Sequence, residues 1–262
     1  MPPEAFLEIE GLTKTFGGLK ALETIALSIE AGKVTSLIGP NGAGKTTFFN
    51  CITGLIAPSS GFIRFRGEPI ASLPPHEVTR RGVARTFQNI RLFSEMTVLE
   101  NVMVGRYLRS APPLISSFFG ALFQSRAFRE KERRLREEGL RSLAFVGLAD
   151  RPDLPARHLA YGDQRRLEVA RALASEPSLL LLDEPAAGMN PRETEALMVL
   201  IGRIRDQGIT PFLIEHNMKM VMKISDQIFV LDHGVKIAEG TAEEIQGNSK
   251  VIEAYLGKPA ER

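Results

Sequence analysis

A glycine-rich run, GPNGAGKTT, comes directly after the apolar segment VTSLI. Residues 39–46 fit the pattern G-x-x-x-x-G-K-[ST], in which glycines let backbone N–H groups turn toward a phosphate. Lys45 can supply a positive charge to the β- and γ-phosphates, and Thr46 a hydroxyl oxygen to Mg²⁺, a hard cation. KVTSLIG (33–39) predicts a buried strand and KTTFFNCITGL (45–55) a helix, which is the context that the pattern requires. The stretch predicts a site for a nucleoside triphosphate, formed by Asn41, Gly42, Ala43, Gly44, Lys45 and Thr46.

Two adjacent carboxylates follow an apolar strand in SLLLLDEP (178–185). Asp183 would lie at the carboxyl edge of the sheet, near the phosphate loop, where it can hold Mg²⁺ or its waters. Glu184 points the other way because side chains alternate along a strand. That position suits a general base for the attacking water, worth about 10²- to 10⁴-fold in rate. A strand followed by an acidic turn is the simpler alternative for this segment taken alone.

Two further side chains are predicted to reach the same edge. FLIEHNM places His216 just past another apolar strand, from which it can contact the γ-phosphate and hold the water-positioning network. RTFQNIRLF places Gln88 between the first half of the core and a helical middle. Its amide oxygen can reach Mg²⁺ or water, although a lone glutamine is by default a surface residue.

A second helix start occurs far from the first, in LAYGDQRRLEVARAL (159–173). Gly162 is predicted to open this helix with exposed N–H groups, which favour an anion. Leu167, Ala170 and Ala174 share one face, so the helix can dock on the core. Because the phosphate loop already supplies one anion-binding helix end, the second suggests that each chain offers this end to a nucleotide held by another chain.

Composition argues against some classes of function. Lys and Arg number 33 against 31 Asp and Glu, and a formal charge of +2 argues against a protein built mainly to grip nucleic acid. The only cysteine, Cys51, cannot form an intrachain disulfide, which suits a reducing cytosol. We expect no signal peptide and no membrane span. The segment LISSFFGALF (114–123) is interpreted as a buried or partner-facing helix, with contact to a membrane protein as the alternative.

The order of elements predicts an α/β core interrupted by helices. Residues 1–88 and 166–240 read as the core, in which two antiparallel strands precede the phosphate loop and later strands alternate with helices. Residues 89–165 read as a helical insertion. TAEE (241–244) is a capping box that opens a helical tail, 241–262. We expect one domain over 1–262.

These motifs together resemble an ATPase subunit of an ABC transporter. The resemblance rests on GPNGAGKTT, TFQ, LAYGDQRR, LLLLDEP and LIEHN, in the family's order, and covers about residues 5–257. DEPAAGMNP, the ending VIEAYLG and the insertion at about 107–135 are most similar to the ATP-binding subunit of branched-chain amino acid importers. The resemblance implies a P-loop NTPase fold: a RecA-like mixed or parallel sheet, an antiparallel β subdomain and a helical insertion subdomain.

The resemblance also implies residue roles. Phe16 matches the aromatic that stacks on adenine, although a core phenylalanine is the alternative. Lys45, Thr46 and Thr47 match contacts to phosphate and Mg²⁺, and Gln88 matches the residue that senses the transmembrane partner. Glu184 matches the catalytic carboxylate and His216 the switch histidine. The residues that match the signature contacted by the other chain's nucleotide are Ala160, Tyr161, Gly162 and Asp163.

Two departures from the family pattern stand out. The general signature is LSGGQ, whereas residues 159–163 read LAYGD, so a serine hydroxyl to the γ-phosphate is missing. We expect the contact to survive through backbone N–H groups, with fewer hydrogen bonds. The family's loop after the catalytic glutamate usually ends in Asp, and here it ends in Asn190.

The resemblance implies a mechanism, partners and a location. Two ATP-binding subunits, identical or homologous, would close head to tail over two ATP and Mg²⁺. They would drive transmembrane permease subunits from the cytoplasmic face of the membrane and serve a solute-binding protein indirectly. The alternatives are the ATPase of an exporter, such as one for lipopolysaccharide, a soluble ABC ATPase of DNA repair or translation, and a non-catalytic nucleotide-binding module.

Overall fold

The structure, a computed structural model, describes residues 6–110 and 126–256. The segment 114–123 lies outside the described residues, as does most of the insertion at 107–135. The strands are β1 (Leu7–Phe16), β2 (Leu19–Ile29), β3 (Thr35–Ile38), β4 (Ser60–Phe65), β5 (Glu68–Pro69), β6 (Val83–Arg85), β7 (Leu179–Asp183), β8 (Thr210–Ile214), β9 (Gln227–Asp232) and β10 (Val235–Gly240). The helices are α1 (Lys45–Ile52), α2 (Pro75–Arg80), α3 (Val98–Ser110), α4 (Arg126–Val146), α5 (Tyr161–Leu173), α6 (Pro191–Asp206), α7 (Met218–Ile224), α8 (Ala242–Gln246) and α9 (Ser249–Leu256).

The central sheet has six strands in the order β10-β9-β3-β8-β7-β6. All neighbours pair in parallel except β10, which runs antiparallel to β9. Every residue of β3, β7 and β8 is buried, because helices cover both faces of a parallel sheet. The prediction of buried strands at these short apolar runs is therefore confirmed.

A second, antiparallel sheet has the order β2-β1-β4-β5. β1 and β2 form the predicted hairpin around Gly17 and Gly18, and β4 pairs with the other edge of β1. The mixed sheet, the antiparallel sheet and the helical region confirm the predicted α/β fold.

The helical region is built from α3, α4 and α5, which pack against one another. Leu167 and Ala170 of α5 and its C-cap residue Ala174 are buried, in keeping with the prediction that they share one face. α5 also contacts β6 of the central sheet. The boundary predicted between the helical insertion and the core, at residues 165 and 166, therefore falls inside α5, which packs against both the other helices of the insertion and the central sheet.

The predicted C-terminal helical tail begins with a capping box. The Thr241 side chain accepts from the Glu244 N–H, and the Glu244 carboxylate accepts from the Thr241 N–H. None of the helices in 6–110 and 126–256 is both long and apolar enough to span a bilayer.

Aromatic packing fixes α1 against the central sheet. Phe212 of β8 is fully buried and makes edge-to-face contacts with Phe48 and Phe49 of α1, at ring-centroid distances of 6.2 and 5.0 Å.

Cys51, also on α1, is fully buried, and burial raises the pKa of its thiol to about 11. A thiol in that state behaves as a small apolar side chain.

Phe212→Ala should lower the free energy of unfolding by about 3–5 kcal/mol, because it removes a buried ring and leaves a cavity under α1. Phe62→Ala is the matched control: Phe62 is 61% exposed, and its loss should cost less than about 1 kcal/mol. Urea denaturation of both variants measures the difference. Equal losses would contradict the role assigned to the Phe212 contacts.

Candidate active site

The phosphate loop runs from the end of β3 to the start of α1. Gly39 has φ of +152°, and a Cβ there would lie 2.1 Å from the Leu231 carbonyl oxygen. Gly44 caps α1 with φ of +98°, and its Cβ would lie 2.5 Å from the Ala21 carbonyl oxygen. Only glycine fits either position, because the backbone is both left-handed and in close contact with another strand or loop.

Lys45 lies inside this loop. Its Nζ donates to the carbonyl oxygens of Gly39 and Pro40, at 2.7 and 2.9 Å. Burial lowers the pKa of Lys45, and the negative charges of Glu184 and Asp183 oppose that shift. The ammonium group is thus held within the loop that is predicted to bind phosphate.

A cleft of about 500 Å³ opens above the loop. That volume falls in the range of small-molecule sites. Its lining combines the phosphate loop with residues from β2, from the ends of β7 and β8, and from the turn after β9. The lining residues are Leu19, Lys20, Ala21, Asn41, Gly42, Ala43, Gly44, Lys45, Thr46, Thr47, Gln88, Glu184, His216, His233 and Gly234.

Phe16, the predicted adenine contact, lies outside this lining. It ends β1 with 46% of its surface exposed, and the Lys14 ammonium lies 4.9 Å from its ring centroid. An exposed ring at a hairpin is available for stacking, whereas the alternative of a core phenylalanine requires burial. The adenine role stays a prediction.

Glu184 lies in one network with two other predicted site residues. Its Oε2 accepts from Gln88 Nε2 at 2.8 Å, and its Oε1 lies 2.9 Å from His216 Nε2. Because a carboxylate only accepts, Nε2 of the histidine is the donor in this contact. Glu184 itself has φ of +49°, a left-handed conformation that is strained for a side-chain-bearing residue. The carboxylate is thereby aimed into the cleft.

Asp183 lies below Glu184 and is 2% exposed. Its Oδ2 accepts from Arg85 Nη2 at 2.6 Å, and its Oδ1 is buried without a hydrogen-bond partner among the described residues. Arg85 Nη1 also donates to Asn50 Oδ1 on α1, at 2.7 Å. The guanidinium therefore neutralises the aspartate and ties it to the phosphate-loop helix.

The predicted Mg²⁺ donors fit that ion. Mg²⁺ in nucleotide sites takes one or two carboxylates and completes its shell with phosphates and waters. Asp183 Oδ1 is such an oxygen. The other predicted ligand, Thr46, carries a hydroxyl and lines the cleft. Gln88 is predicted to add its amide oxygen; in this structure its amide nitrogen is engaged by Glu184.

The signature residues lie at the start of α5. Ala160 is its N-cap, and the helix begins at Tyr161, one residue before the predicted Gly162. Tyr161 is 45% exposed, and its hydroxyl lies 2.8 Å from Arg165 Nη2. Arg165 also donates to the carbonyl oxygens of Phe87 and Gln88, at 2.8 and 2.5 Å. The tyrosine in place of glycine therefore helps to fix an arginine that holds the Gln88 loop.

Two signature residues face the chain's own interior. Asp163 is 8% exposed and pairs with Arg151, at 2.9 Å, and with Arg166. Gly162 is buried, and a Cβ there would lie 2.8 Å from Glu193 Oε1. Side-chain contact with another chain's nucleotide is thus open to Ala160 and Tyr161, which are exposed.

Asn190, the second departure, caps α6. Its side chain accepts from the N–H groups of Arg192 and Glu193, and the Glu193 carboxylate accepts from the Asn190 N–H. Asn and Asp are about equally good in that position, so the substitution preserves the local structure.

A groove of about 270 Å³ lies between the central sheet and the helical region, and Phe87, the residue before Gln88, lines it. Its lining is mainly apolar, and it includes Leu55, Val78, Phe87 and Val104. Arg85 and the buried acid Glu168 also line it; burial raises the pKa of Glu168, and a bond from the Arg91 N–H and nearby arginines oppose the shift. The groove therefore adjoins the ion pair of Asp183.

Sequence reasoning missed four residues that hold the site. The side chains of Arg85, Arg165 and Glu215 are buried and make their contacts with segments distant in sequence. The Lys14 ammonium lies over the Phe16 ring. For the three buried residues the one available signal was their type, because a buried charged side chain requires a partner. Nothing in the sequence shows which partner it finds.

Comparison with protein families gives two matches. The ABC transporter family matches residues 22–187. A family described as branched-chain amino acid ATP-binding cassette transporter matches residues 235–261.

Comparison with individual proteins agrees. The chain is 49% identical to the high-affinity branched-chain amino acid transport ATP-binding protein BraF of Pseudomonas aeruginosa, over 96% of this chain and 98% of that protein. It is 44% identical to LivG of Escherichia coli, a protein of the same description, over 97% and 99%. The structure matches a nucleotide-free ATP-binding cassette from an ABC transporter with a TM-score of 0.84 and 33% identity, over 97% of this chain and all of that one.

Arg85→Met should lower the free energy of unfolding by about 3–5 kcal/mol, because it leaves the Asp183 carboxylate buried without its counter-charge. Adding Asp183→Asn should recover part of that loss, since the uncompensated charge is then gone. Chemical denaturation in EDTA measures both variants.

The matched control is Arg133→Met. Arg133 pairs with Glu130 and Glu137 on the exposed face of α4, so its loss should change stability little. A double variant that is no more stable than Arg85→Met alone would contradict the charge argument.

Proposed function

The chain belongs to the ABC transporter family, and we propose that it is the ATP-hydrolysing subunit of an importer for branched-chain amino acids. ATP binding and hydrolysis follow from the family. The importer and its solute are supported by the full-length similarity to BraF and LivG and by the branched-chain family match at residues 235–261.

One observation carries the catalytic assignment: Glu184 faces the phosphate-loop cleft within hydrogen-bond distance of both Gln88 and His216. A carboxylate held between two such groups can orient a water and take its proton during attack on the γ-phosphate. His216 then keeps the carboxylate in place and can contact the γ-phosphate. A non-catalytic binding module would not require this arrangement.

The remaining nucleotide contacts belong to the same proposal. Lys45 neutralises the β- and γ-phosphates, backbone N–H groups of residues 41–47 bind phosphate oxygens, and Phe16 stacks on adenine. Mg²⁺ would be held by Thr46, Asp183 and Gln88, and it would neutralise charge that develops on the phosphates. These roles follow from the residue types and their placement around the cleft.

The signature residues 160–163 do not line the cleft of their own chain. We therefore infer a head-to-tail dimer, in which Ala160, Tyr161 and the helix end around Gly162 complete the site of another subunit. That subunit is a second copy or a homologous ATP-binding protein. ATP shifts the equilibrium toward the closed dimer by its higher affinity for that state.

The groove beside Gln88 is the place for a transmembrane permease subunit. It is concave and mainly apolar, and its lining residue Arg85 pairs with Asp183. Its lining residue Phe87 directly precedes Gln88, which contacts Glu184. Binding there would hold the chain at the cytoplasmic face of the membrane, with a solute-binding protein as an indirect partner. An exporter ATPase is the second candidate, and the identity of co-purifying permeases distinguishes the two.

Glu184→Gln should reduce steady-state ATP hydrolysis by about 10²- to 10⁴-fold while ATP still binds, because the amide cannot take a proton. The rate of the wild-type chain is measured against protein concentration in parallel.

A rate of ATP hydrolysis per chain that rises with protein concentration indicates sites completed by a second copy of this chain. A negligible rate with ATP bound indicates a different subunit, and normal hydrolysis by the variant would remove Glu184 from its role.

Leu55→Glu should abolish co-purification with co-expressed branched-chain permease subunits, since it places a charge in the apolar groove. Val199→Glu is the control: Val199 is 59% exposed on α6, outside the groove. Thermal melting checks that both variants fold. Undiminished capture of permease by Leu55→Glu would contradict the assignment of the groove.

A further inference from the structure

A buried carboxylate with no assigned role connects the two loops that carry the catalytic pair. Glu215 lies between the last residue of β8 and His216, and is 3% exposed. Its Oε1 accepts from the Ala186 N–H at 2.7 Å. Its Oε2 accepts from the N–H groups of His216 and Asn217, at 2.9 and 3.1 Å. Hydrogen bonds to an ionised acceptor are about twice as strong as neutral ones.

The bond to Ala186 bears directly on Glu184. The left-handed backbone of Glu184 costs on the order of 1–3 kcal/mol and persists only where its surroundings fix it. On one side of that strained residue, the Glu184 N–H donates to the Ile214 carbonyl at 2.9 Å. On the other side, Ala186 is held by Glu215. Both attachments lead to the end of β8.

The bonds to His216 and Asn217 fix the other half of the pair. Asn217 in turn caps α7, because its side chain accepts from the Met220 N–H at 3.2 Å. The backbone of His216 is thus held between a carboxylate and a helix start. From that position its ring reaches Glu184 Oε1 at 2.9 Å.

We propose that Glu215 is a positioning residue for ATP hydrolysis. It holds the Glu184 loop and the His216 loop in one arrangement, so that the general base and its histidine partner remain in contact. The proposal rests on the catalytic roles proposed above for Glu184 and His216. Glu215 acts through these two residues and does not itself contact the nucleotide.

The three donors explain why a carboxylate occupies this position. Each oxygen of Glu215 faces only N–H groups, so both must be acceptors. A glutamine would turn its NH₂ group toward one set of donors and lose that bond. An aspartate keeps the charge but is one methylene shorter, and so cannot reach Ala186 while it also binds residues 216 and 217.

The test measures hydrolysis and ATP binding separately in Glu215→Gln, with Glu215→Asp as a second variant should the first not fold. Ile204→Val is the control, because it removes one methyl group from a fully buried side chain of α6 away from the cleft. We expect kcat to fall on the order of 10- to 100-fold, since small misplacements of catalytic groups have that effect. We expect the Kd for ATP in EDTA to stay within about twofold of the wild type, because the phosphate loop is untouched.

A double variant distinguishes positioning from a general loss of structure. In the Glu184→Gln background, Glu215→Gln should cause no further loss of kcat, since groups that act as a unit are not additive. A multiplicative loss would overturn the proposal, as would unchanged kcat or a parallel loss of ATP affinity in Glu215→Gln. If the single variant Glu184→Gln retained normal ATP hydrolysis, both the catalytic role of Glu184 and the positioning role of Glu215 would fail. If Glu184→Gln were inactive but Glu215→Gln hydrolysed ATP normally, only the positioning role of Glu215 would fail.

Discussion

The parallel pairing of β3, β8 and β7 is the constraint on which the rest of the site depends. Because these strands run in one direction, their carboxyl ends meet at one edge of the sheet. The phosphate loop leaves β3, the Asp183–Glu184 pair ends β7, and His216 follows β8. Segments about 140 and 170 residues away from the loop are thereby brought to one cleft.

Parallel pairing alone leaves the charged groups at this edge uncompensated. Three buried charges are satisfied by three different means: Lys45 by loop carbonyls, Asp183 by Arg85, and Glu215 by backbone N–H groups. Each partner belongs to a segment that also shapes the cleft or the groove. The same contacts therefore compensate the buried charges and position the residues of the site.

The unusual signature residues also make contacts within their own chain. Tyr161 and Arg165 join the start of α5 to the Gln88 loop, and Gln88 contacts Glu184. Asp163 is occupied by arginines of its own subdomain. The start of α5 is thus linked to the Gln88 loop, and through Gln88 to Glu184, by direct hydrogen bonds within one chain.

Much of the fold and of the candidate site could be predicted from the sequence, because the relevant signals are local. The phosphate loop between a strand and a helix, the apolar runs of β7 and β8, the β1–β2 hairpin and the Thr241 capping box each depend on neighbouring residues. Strand direction then placed Glu184 and His216 at one edge, and the family resemblance supplied the fold around them.

Other features were decided by the tertiary structure alone. Arg85 finds Asp183 across 98 positions, Glu215 finds Ala186 across 29, and α5 belongs to both the helical region and the sheet. Asp163 turned inward because arginines of the adjacent loop and of its own helix lie within reach of its carboxylate. The physical reason is common to all of them: a residue's type fixes that a buried charge must have a partner, whereas the packing of distant segments fixes which partner it has.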